Sequence, residues 1–522
     1  MTPEWIEQLK RPEIFPERPD EVEIIQTHLS IVCLAGDRVY KLKKSIQLPF
    51  ADFSTLEKRS GFCERELRLN RRLCPEIYLE VVPLVKADDG GLHFVPGGEG
   101  EADGEIVDFA VRMARMPADR MLDVLLEEDS VSGGEIRDIA RRMVAFHREA
   151  RRDDEVADLG SPGKLRRYAL DNFEETRAMV GEVFSGALHR ALERRTVADF
   201  DRFGDLLRQR ADAGLVVEGH GDLHARNICM TDPVAIYDCI EFNPGFRCGD
   251  VANEHAFLVM DLRFRGHAEL ARLYLDAVIE AGGDEDIRRL MPMLVRYRAM
   301  VRAKVSAIAA GESEMPEKDR RESAATARRY LRLAGATAAD ESPAWIALCG
   351  LPATGKSTLA RVLAETSGKT WPVLSSDAIR KELAGVPPDA RLPGSCYTPD
   401  FSRRTYDVIY QRAESASRTH PVVLLDANFR TRDERSAARE AAGRCGVRLV
   451  VVETSAAESV VRARLEKRVA DPDATSDADL AVYGKLKDEF ESPDDDEADR
   501  VVRIDANREP ESVAEDVLAD LV

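Results

Sequence analysis

The chain has 522 residues, 44% hydrophobic and 33% charged, which excludes broad disorder and a single small binding module and points to about two to four domains. With 75 Lys plus Arg against 95 Asp plus Glu the net charge is -20, which argues against non-specific binding to nucleic acid or to an anionic membrane. Residues 1–10 have no apolar stretch behind a basic start, no apolar run is long enough to span a bilayer, and nine scattered cysteines lack a Cys-x-x-Cys pair, so a cytoplasmic protein with reduced core thiols and no membrane partner is expected.

Residues 24–34 and 38–42 read as strands joined at the Gly36-Asp37 turn, residues 54–73 as a helix and residues 108–116 as another strand. They make a first lobe of about residues 1–116. A mostly helical lobe follows to about residue 336, interrupted by a polar loop and hairpin between Glu218 and Asn243. A charged helix from Pro316 to Leu333 leads into small residues, and residues 337–343 have linker composition. From residue 344 to 522 strand and helix patterns alternate, with strands at 345–349, 422–425 and 448–452, as in a parallel α/β sheet. The acidic run at 492–499 reads as a solvated loop.

The loop HGDLHARN, residues 220–227, is followed by Asp238 in AIYDCIEF. An Asp with an Asn five positions later lets Asp222 orient a hydroxyl nucleophile while Asn227 reaches a metal, and Asp238 on the next hairpin supplies another metal ligand. His220 would brace the loop and Glu241 support it. Upstream, GDRVYKLKK offers two lysines. Lys41 suits the α- and β-phosphates better than Lys43, because a charge at residue 43 would stand where an adenine ring needs an apolar contact. Its expected partner is Glu66, with Glu64 as competitor and a solvated helix face as the plain alternative.

The segment Gly350, Leu351, Pro352, Ala353, Thr354, Gly355, Lys356, Ser357, followed by Thr358, satisfies G-x-x-x-x-G-K-[ST] between a predicted strand and a predicted helix. Its backbone N–H groups would wrap phosphate, Lys356 reach the β and γ oxygens and Ser357 ligate Mg²⁺. Asp426 closes the apolar run VVLLD, where a metal-linked carboxylate is useful. Asp377, after VLSS, could deprotonate a hydroxyl and Arg380, one turn on, could hold the acceptor; an N-cap Asp and a solvated Arg are the bland reading. Arg464 and Arg468 share a helix face that could close over the γ-phosphate, with Arg462 beside them, or simply be solvated.

These motifs carry two resemblances. The HGD-x-x-x-x-N loop with Lys41 and Glu66 makes residues 1–336 resemble the aminoglycoside phosphotransferase and choline kinase-like branch of the protein-kinase fold. That implies a bilobal domain with Asp222 as base, Asn227 and Asp238 on Mg²⁺, and Lys41 with Glu66 on the nucleotide. The segment THLSIVCLAGD is not G-x-G-x-x-G, and Tyr237-Asp238-Cys239 stands where protein kinases have DFG. Residues 344–522 resemble the P-loop kinases of small hydroxyl substrates, the polynucleotide kinase, zeta-toxin and gluconate kinase-like group. There the resemblance implies acceptor-side roles for Tyr397 and Arg404 as well as Arg380, and a base role for Asp377. The whole looks like the bacterial tandem proteins described as bifunctional aminoglycoside phosphotransferase/ATP-binding protein. The expected activity is transfer of the γ-phosphoryl group of ATP, with Mg²⁺, to hydroxyls of small polar acceptors such as a sugar, amino sugar or nucleotide sugar. The alternatives are a polynucleotide 5'-hydroxyl kinase in the P-loop half, and a regulatory protein in which one half binds ATP and controls the other.

Overall fold

The computed structural model describes residues 3–48, 51–97, 104–313, 315–387, 390, 392–469 and 480–522. It divides into two compact units, one of residues 1–165, 204–261 and 269–288, the other of residues 166–203, 262–268 and 289–522. Among the described residues no helix is long and apolar enough to cross a membrane. All nine cysteines are free, and only Cys445 is not buried.

The first unit opens with an antiparallel six-stranded sheet. Its strands are β1 (Val22–Gln26), β2 (Ser30–Ala35), β3 (Arg38–Lys43), β4 (Tyr78–Lys86), β5 (Leu92–Phe94) and β6 (Glu105–Ala114), in the order β1-β2-β3-β6-β4-β5. The run at 24–34, expected as one strand, is two: the chain turns at residues 27–29, where Thr27 N donates to Ser30 O and the Thr27 hydroxyl accepts from Ser30 N. Helix α1 (Leu56–Asn70) starts at Thr55, whose hydroxyl caps Lys58 N at 3.2 Å, and packs on β6 and β4. The pleat of β3 sends Tyr40 and Leu42 into an apolar layer with Phe15 and Phe94, the Tyr40 and Phe94 rings 4.6 Å apart. Lys41 and Lys43 therefore face the other way, toward α1.

The helical lobe of this unit includes α2 (Gly133–Glu149), fixed at its start by a capping box between Ser132 and Glu135, with Ile136, Ile139, Ala140, Met143 and His147 along its buried stripe. Strand β7 (Val216–Glu218) leads into the polar loop, and the hairpin β8 (Ile228–Cys229) and β9 (Ala235–Ile236) leaves it. Strand β10 (Cys248–Asp250) pairs antiparallel with β7, and α3 (Val251–Phe264) and α4 (Ala268–Gly282) follow.

In the second unit, α5 (Glu317–Ala339) precedes β11 (Ala344–Cys349), whose six residues are all buried. With α6 (Lys356–Thr366), β12 (Val373–Ser375), α7 (Ser376–Ala384), β13 (Val422–Asp426), β14 (Arg448–Ser455), α8 (Glu458–Val469), β15 (Arg500–Asp505) and α9 (Pro510–Leu521), it forms a parallel sheet of order β12-β13-β11-β14-β15. The central strand comes first in sequence, so the sheet reverses its winding direction beside it, where doubly wound sheets bind ligands.

Two expectations change here. The linker expected at 337–343 includes the buried end of α5, because residues 333–339 are small or apolar enough to pack closely on α9, and the buried Arg332 pairs with Glu515 on α9 at 3.1 Å. A Cβ on Gly335 would lie 3.1 Å from Leu188 Cδ1 and 3.2 Å from Leu518 Cβ, so small residues mark a helix contact here and not a flexible join. The chain accordingly groups residues 166–203 and 289–336 with the P-loop sheet instead of with the first unit. The acidic run is also only partly solvated: Glu497 is buried and pairs with the fully buried Arg435 at 2.6 Å, which offsets the cost of taking both charges out of water.

Candidate functional site

In the first unit Glu66, fully buried at mid-helix in α1, receives two lysines. Lys41 Nζ lies 2.8 Å from Glu66 Oε1 and also pairs with Asp238, while Lys43 Nζ pairs with the other Glu66 oxygen and with Glu241. Glu64, the competing candidate, is exposed. Burial alone would lower the Lys41 ammonium, but Asp238 and Glu66 outweigh it and hold it well above the ordinary lysine range. For Glu66 burial acts upward instead, and the two lysines pull the carboxyl below its usual value. Glu241 goes the other way: its burial outweighs the attraction of Lys43 and raises it. Lys43 thus anchors two carboxylates behind Lys41, a role the adenine argument did not foresee.

Asp238 sits at φ 64°, a left-handed conformation that costs a non-glycine residue on the order of 1 kcal/mol. The flanking contacts hold it there: Asp238 N donates to the Tyr78 hydroxyl at 3.3 Å, and Cys239 N to Asn70 Oδ1 at 2.9 Å. The hairpin ties the metal candidates together, since Tyr237 N donates to Asn227 O at 3.0 Å.

In the loop itself, Asn227 Nδ2 donates to Asp222 O at 3.0 Å and to Asp222 Oδ2 at 3.1 Å, and His224 Nε2 lies 3.3 Å from that same carboxylate oxygen. His220 braces the turn at three points. Its Nδ1 accepts from Asp222 N at 3.3 Å, its Nε2 bonds Tyr237 O at 2.9 Å, and its carbonyl accepts from Ile240 N at 3.1 Å. Burial pushes its imidazole down, consistent with one ring proton, on Nε2. Gly221 has φ +88°, and a Cβ there would lie 2.9 Å from Phe246 O, so the turn requires glycine.

The residue that sequence reasoning missed is Glu254 on α3. Its buried carboxylate accepts from His220 N at 2.9 Å and from Gly221 N at 2.5 Å, and takes a third bond from His147 Nε2 at 2.9 Å. Burial acts upward on this carboxyl, but His147, His220 and the backbone donor outweigh it and hold it down to about 2. A signal was present: a lone carboxylate in VANEHAFLVM, where seven of ten residues are apolar, must be paired if the helix is buried.

In the second unit the loop from Gly350 to Gly355 joins β11 to α6. Gly350 has φ +143°, and a Cβ on it would lie 2.5 Å from Thr454 O; Ala353 at φ 62° and Gly355 at φ 100° complete the turn. Lys356 Nζ reaches back to Gly350 O and Leu351 O, both at 2.8 Å, and Thr354 Oγ1 bonds the Thr454 hydroxyl at 2.8 Å. Pro352, Ser357 and Thr358 lie on the same loop-helix junction. Ser357 hydrogen-bonds Asp426, whose carboxyl burial raises, with Ser357 and Lys356 opposing and Asp377 adding to the rise. That places Ser357, Lys356, Asp426 and Asp377 at one carboxyl edge of the sheet.

Asp377 is in the first turn of α7, but the cap is Ser375, whose hydroxyl accepts from Ala378 N. The capping alternative therefore falls away. Arg380 Nε is buried without a hydrogen-bond partner among the described residues, and its guanidinium lies 5.1 Å from the centroid of the half-exposed Tyr397 ring. Arg404 is exposed and stacks on Phe401 at 5.6 Å. Arg464 lies on the loop, donating to Ala353 O at 3.2 Å and Ala506 O at 3.0 Å, while Arg462 is on the solvated side, paired with Glu458. The side chain of Arg468 lies outside the described part of the structure.

Residues 346–493 match the AAA domain family AAA_33. The uncharacterized protein Rv2004c of Mycobacterium tuberculosis is 30% identical over 473 residues, covering 90% of this chain and 90% of its own. Among solved structures, a gluconokinase from Sinorhizobium meliloti is similar over 34% of this chain and 91% of its own, at 23% identity and TM-score 0.26. A choline kinase from Cryptosporidium parvum is similar over 63% of this chain and 94% of its own, at 11% identity and TM-score 0.36. Since the mycobacterial relative is 30% identical and matched over nine-tenths of both chains, the chain belongs to the family of this mycobacterial protein.

Proposed function

We propose that the chain is a tandem ATP-dependent kinase that transfers the γ-phosphoryl group to hydroxyls of small polar acceptors at two separate sites. The observation that supports this best is that each unit gathers, from its own residues, a phosphate-binding cation, oxygen donors for a divalent ion and a carboxylate for the acceptor hydroxyl. In the first unit these are Lys41 on Glu66, Asp238 with Asn227, and Asp222. In the second they are Lys356, Ser357 with Asp426, and Asp377.

The donor sets fit Mg²⁺, a hard cation that takes oxygen ligands. Asn227 spends its amide N–H groups on Asp222, which leaves its oxygen for a metal, and Asp238 faces an ammonium that a bound nucleotide can engage. When bound, Mg²⁺ neutralises phosphate charge and orients the γ-phosphoryl group. Asp222 accepts the proton of the acceptor hydroxyl as its oxygen bonds to the γ-phosphorus and the bond to the β–γ bridging oxygen breaks, releasing ADP. Asp377 has the same task in the second unit, with Lys356 and Arg464 countering charge on the phosphates. A phosphorylation screen over sugars, amino sugars, nucleotide sugars and nucleosides, on the full chain with Lys356→Ala or Asp222→Ala, tests the reading. Each variant should lose one acceptor-dependent activity and keep the other.

One observation favours a second reading for the P-loop unit. The Tyr397 ring stacked by Arg380, which follows Asp377 by three residues on α7, offers a platform for a planar base, as a nucleic-acid 5'-hydroxyl acceptor would need. Oligonucleotide phosphorylation that weakens steeply with salt would favour it over a small acceptor.

A further inference from the structure

Within the first unit a cavity of about 220 Å³ lies between the C-terminal half of α2, the chain leading into β7, α3 and α4. None of Lys41, Glu66, Asp222, Asn227 or Asp238 lines it. Its walls are branched and apolar: Val144, Leu215, Val251, Val278 and Ile287. Arg148 and Arg152, both exposed, also line it; they donate to the carbonyls of Ala281 and His147, and neither is ion-paired among the described residues. The one carboxylate on the lining, Asp284, is engaged through both oxygens by Arg210 at 2.8 Å. His255 is bonded to the Tyr274 hydroxyl at 2.9 Å, and burial keeps its imidazole well below the usual range and so neutral. The cavity thus combines an aliphatic interior with two guanidinium groups whose charge is not neutralised.

We propose that this cavity is an effector site for a short branched-chain carboxylate, and that its occupancy is passed to the loop carrying Asp222. The carboxylate meets Arg148 and Arg152, whose planar groups suit it, and the branched body fills the aliphatic interior. An inorganic anion would leave that interior empty, and an amine would face the guanidinium groups with like charge. The connection to the loop is short. His147 lines the cavity and donates to Glu254, and Glu254 holds the backbone N–H groups of His220 and Gly221. Val251 and His255, also on the lining, flank Glu254 on α3. A ligand that shifts this wall alters the anchor of the loop two residues before Asp222.

The test is isothermal titration of the full chain with isocaproate, with isoamylamine and inorganic phosphate as comparators, alongside Asp222-dependent ATP turnover with and without isocaproate. Isocaproate should bind saturably, at least tenfold more tightly than either comparator. The pair Arg148→Ala and Arg152→Ala should weaken it at least tenfold, and Gly282→Leu should block it. Gly282→Ala serves as fold control, since a Cβ there meets Val144 Cγ1 only at ordinary contact, 3.8 Å. No saturable binding, equal binding of phosphate or amine, or unchanged binding in the variants would overturn the site. Binding without change in turnover would overturn the transmission. The effect on rate rests on the kinase reading: absent turnover even without isocaproate would count against that reading, while the titration would still decide the site.

Discussion

Glu254→Gln is the substitution that most sharply separates a supporting role from a passive one. The carboxylate accepts from His220 N, Gly221 N and His147 Nε2, and glutamine keeps only one oxygen and presents N–H groups where the other was. Leaving even one or two buried donors unmatched costs about 3 kcal/mol. Linkage gives a similar magnitude: the carboxyl is held at about 2 against an ordinary 4.5, a difference worth on the order of 3 kcal/mol. Because the folded value lies below the unfolded one, this stabilisation is complete above pH 4.5 and is lost as pH falls from 4.5 toward 2. The glutamine variant, with nothing to titrate there, should be less stable at neutral pH and flatter across that acid window. Amide hydrogen exchange of residues 220–222 read by mass spectrometry, with chemical unfolding at a series of pH values, measures both. Loop exchange should accelerate roughly 10²-fold, the rate equivalent of about 3 kcal/mol, and Asp222-dependent transfer should fall with it. Wild-type exchange and an unchanged pH profile would refute the role assigned to Glu254.

Asp377→Asn should lower P-loop transfer by roughly 10² or more while leaving ATP affinity and melting temperature near normal, since Ser375 carries the cap; near-normal transfer removes Asp377 as base. Lys43→Met should destabilise the first unit by about 3 kcal/mol because Glu66 and Glu241 then share too little positive charge, and adding Glu241→Leu should restore part of it; in denaturant melts, additive losses would contradict the shared-lysine arrangement. Gly335→Leu should cost on the order of 2 kcal/mol or more by overpacking against Leu188 and Leu518, whereas a melting temperature equal to wild type would return the segment to a linker.

What could be read in the sequence was what covalent spacing dictates. The turn from Gly350 to Gly355 and the five-residue step from Asp222 to Asn227 are local, so residue order already holds their geometry. Lys41 and Glu66 were within reach because strand alternation and helix position suffice to make them meet. The anchoring role of Lys43 was not legible because its partners, Glu66 and Glu241, come from distant parts of the chain. Glu254 was missed for the same reason, as its three donors converge only in the folded lobe. Composition misled at 337–343 and 492–499. Small residues serve both a linker and a close helix contact, and acidic residues serve both a solvated loop and a buried partner for Arg435; only packing separates the two.

The central claim is that two separate sites each transfer phosphate, and it is tested most directly by following label from the γ-phosphoryl group of ATP into the acceptor panel. The full chain is compared with Lys356→Ala, Asp222→Ala and the double variant. Two acceptor-dependent activities should appear, with each single substitution removing one by at least 10²-fold and the double variant losing both. A single activity abolished by either substitution alone would contradict it, and would mean that one half binds ATP to control the other.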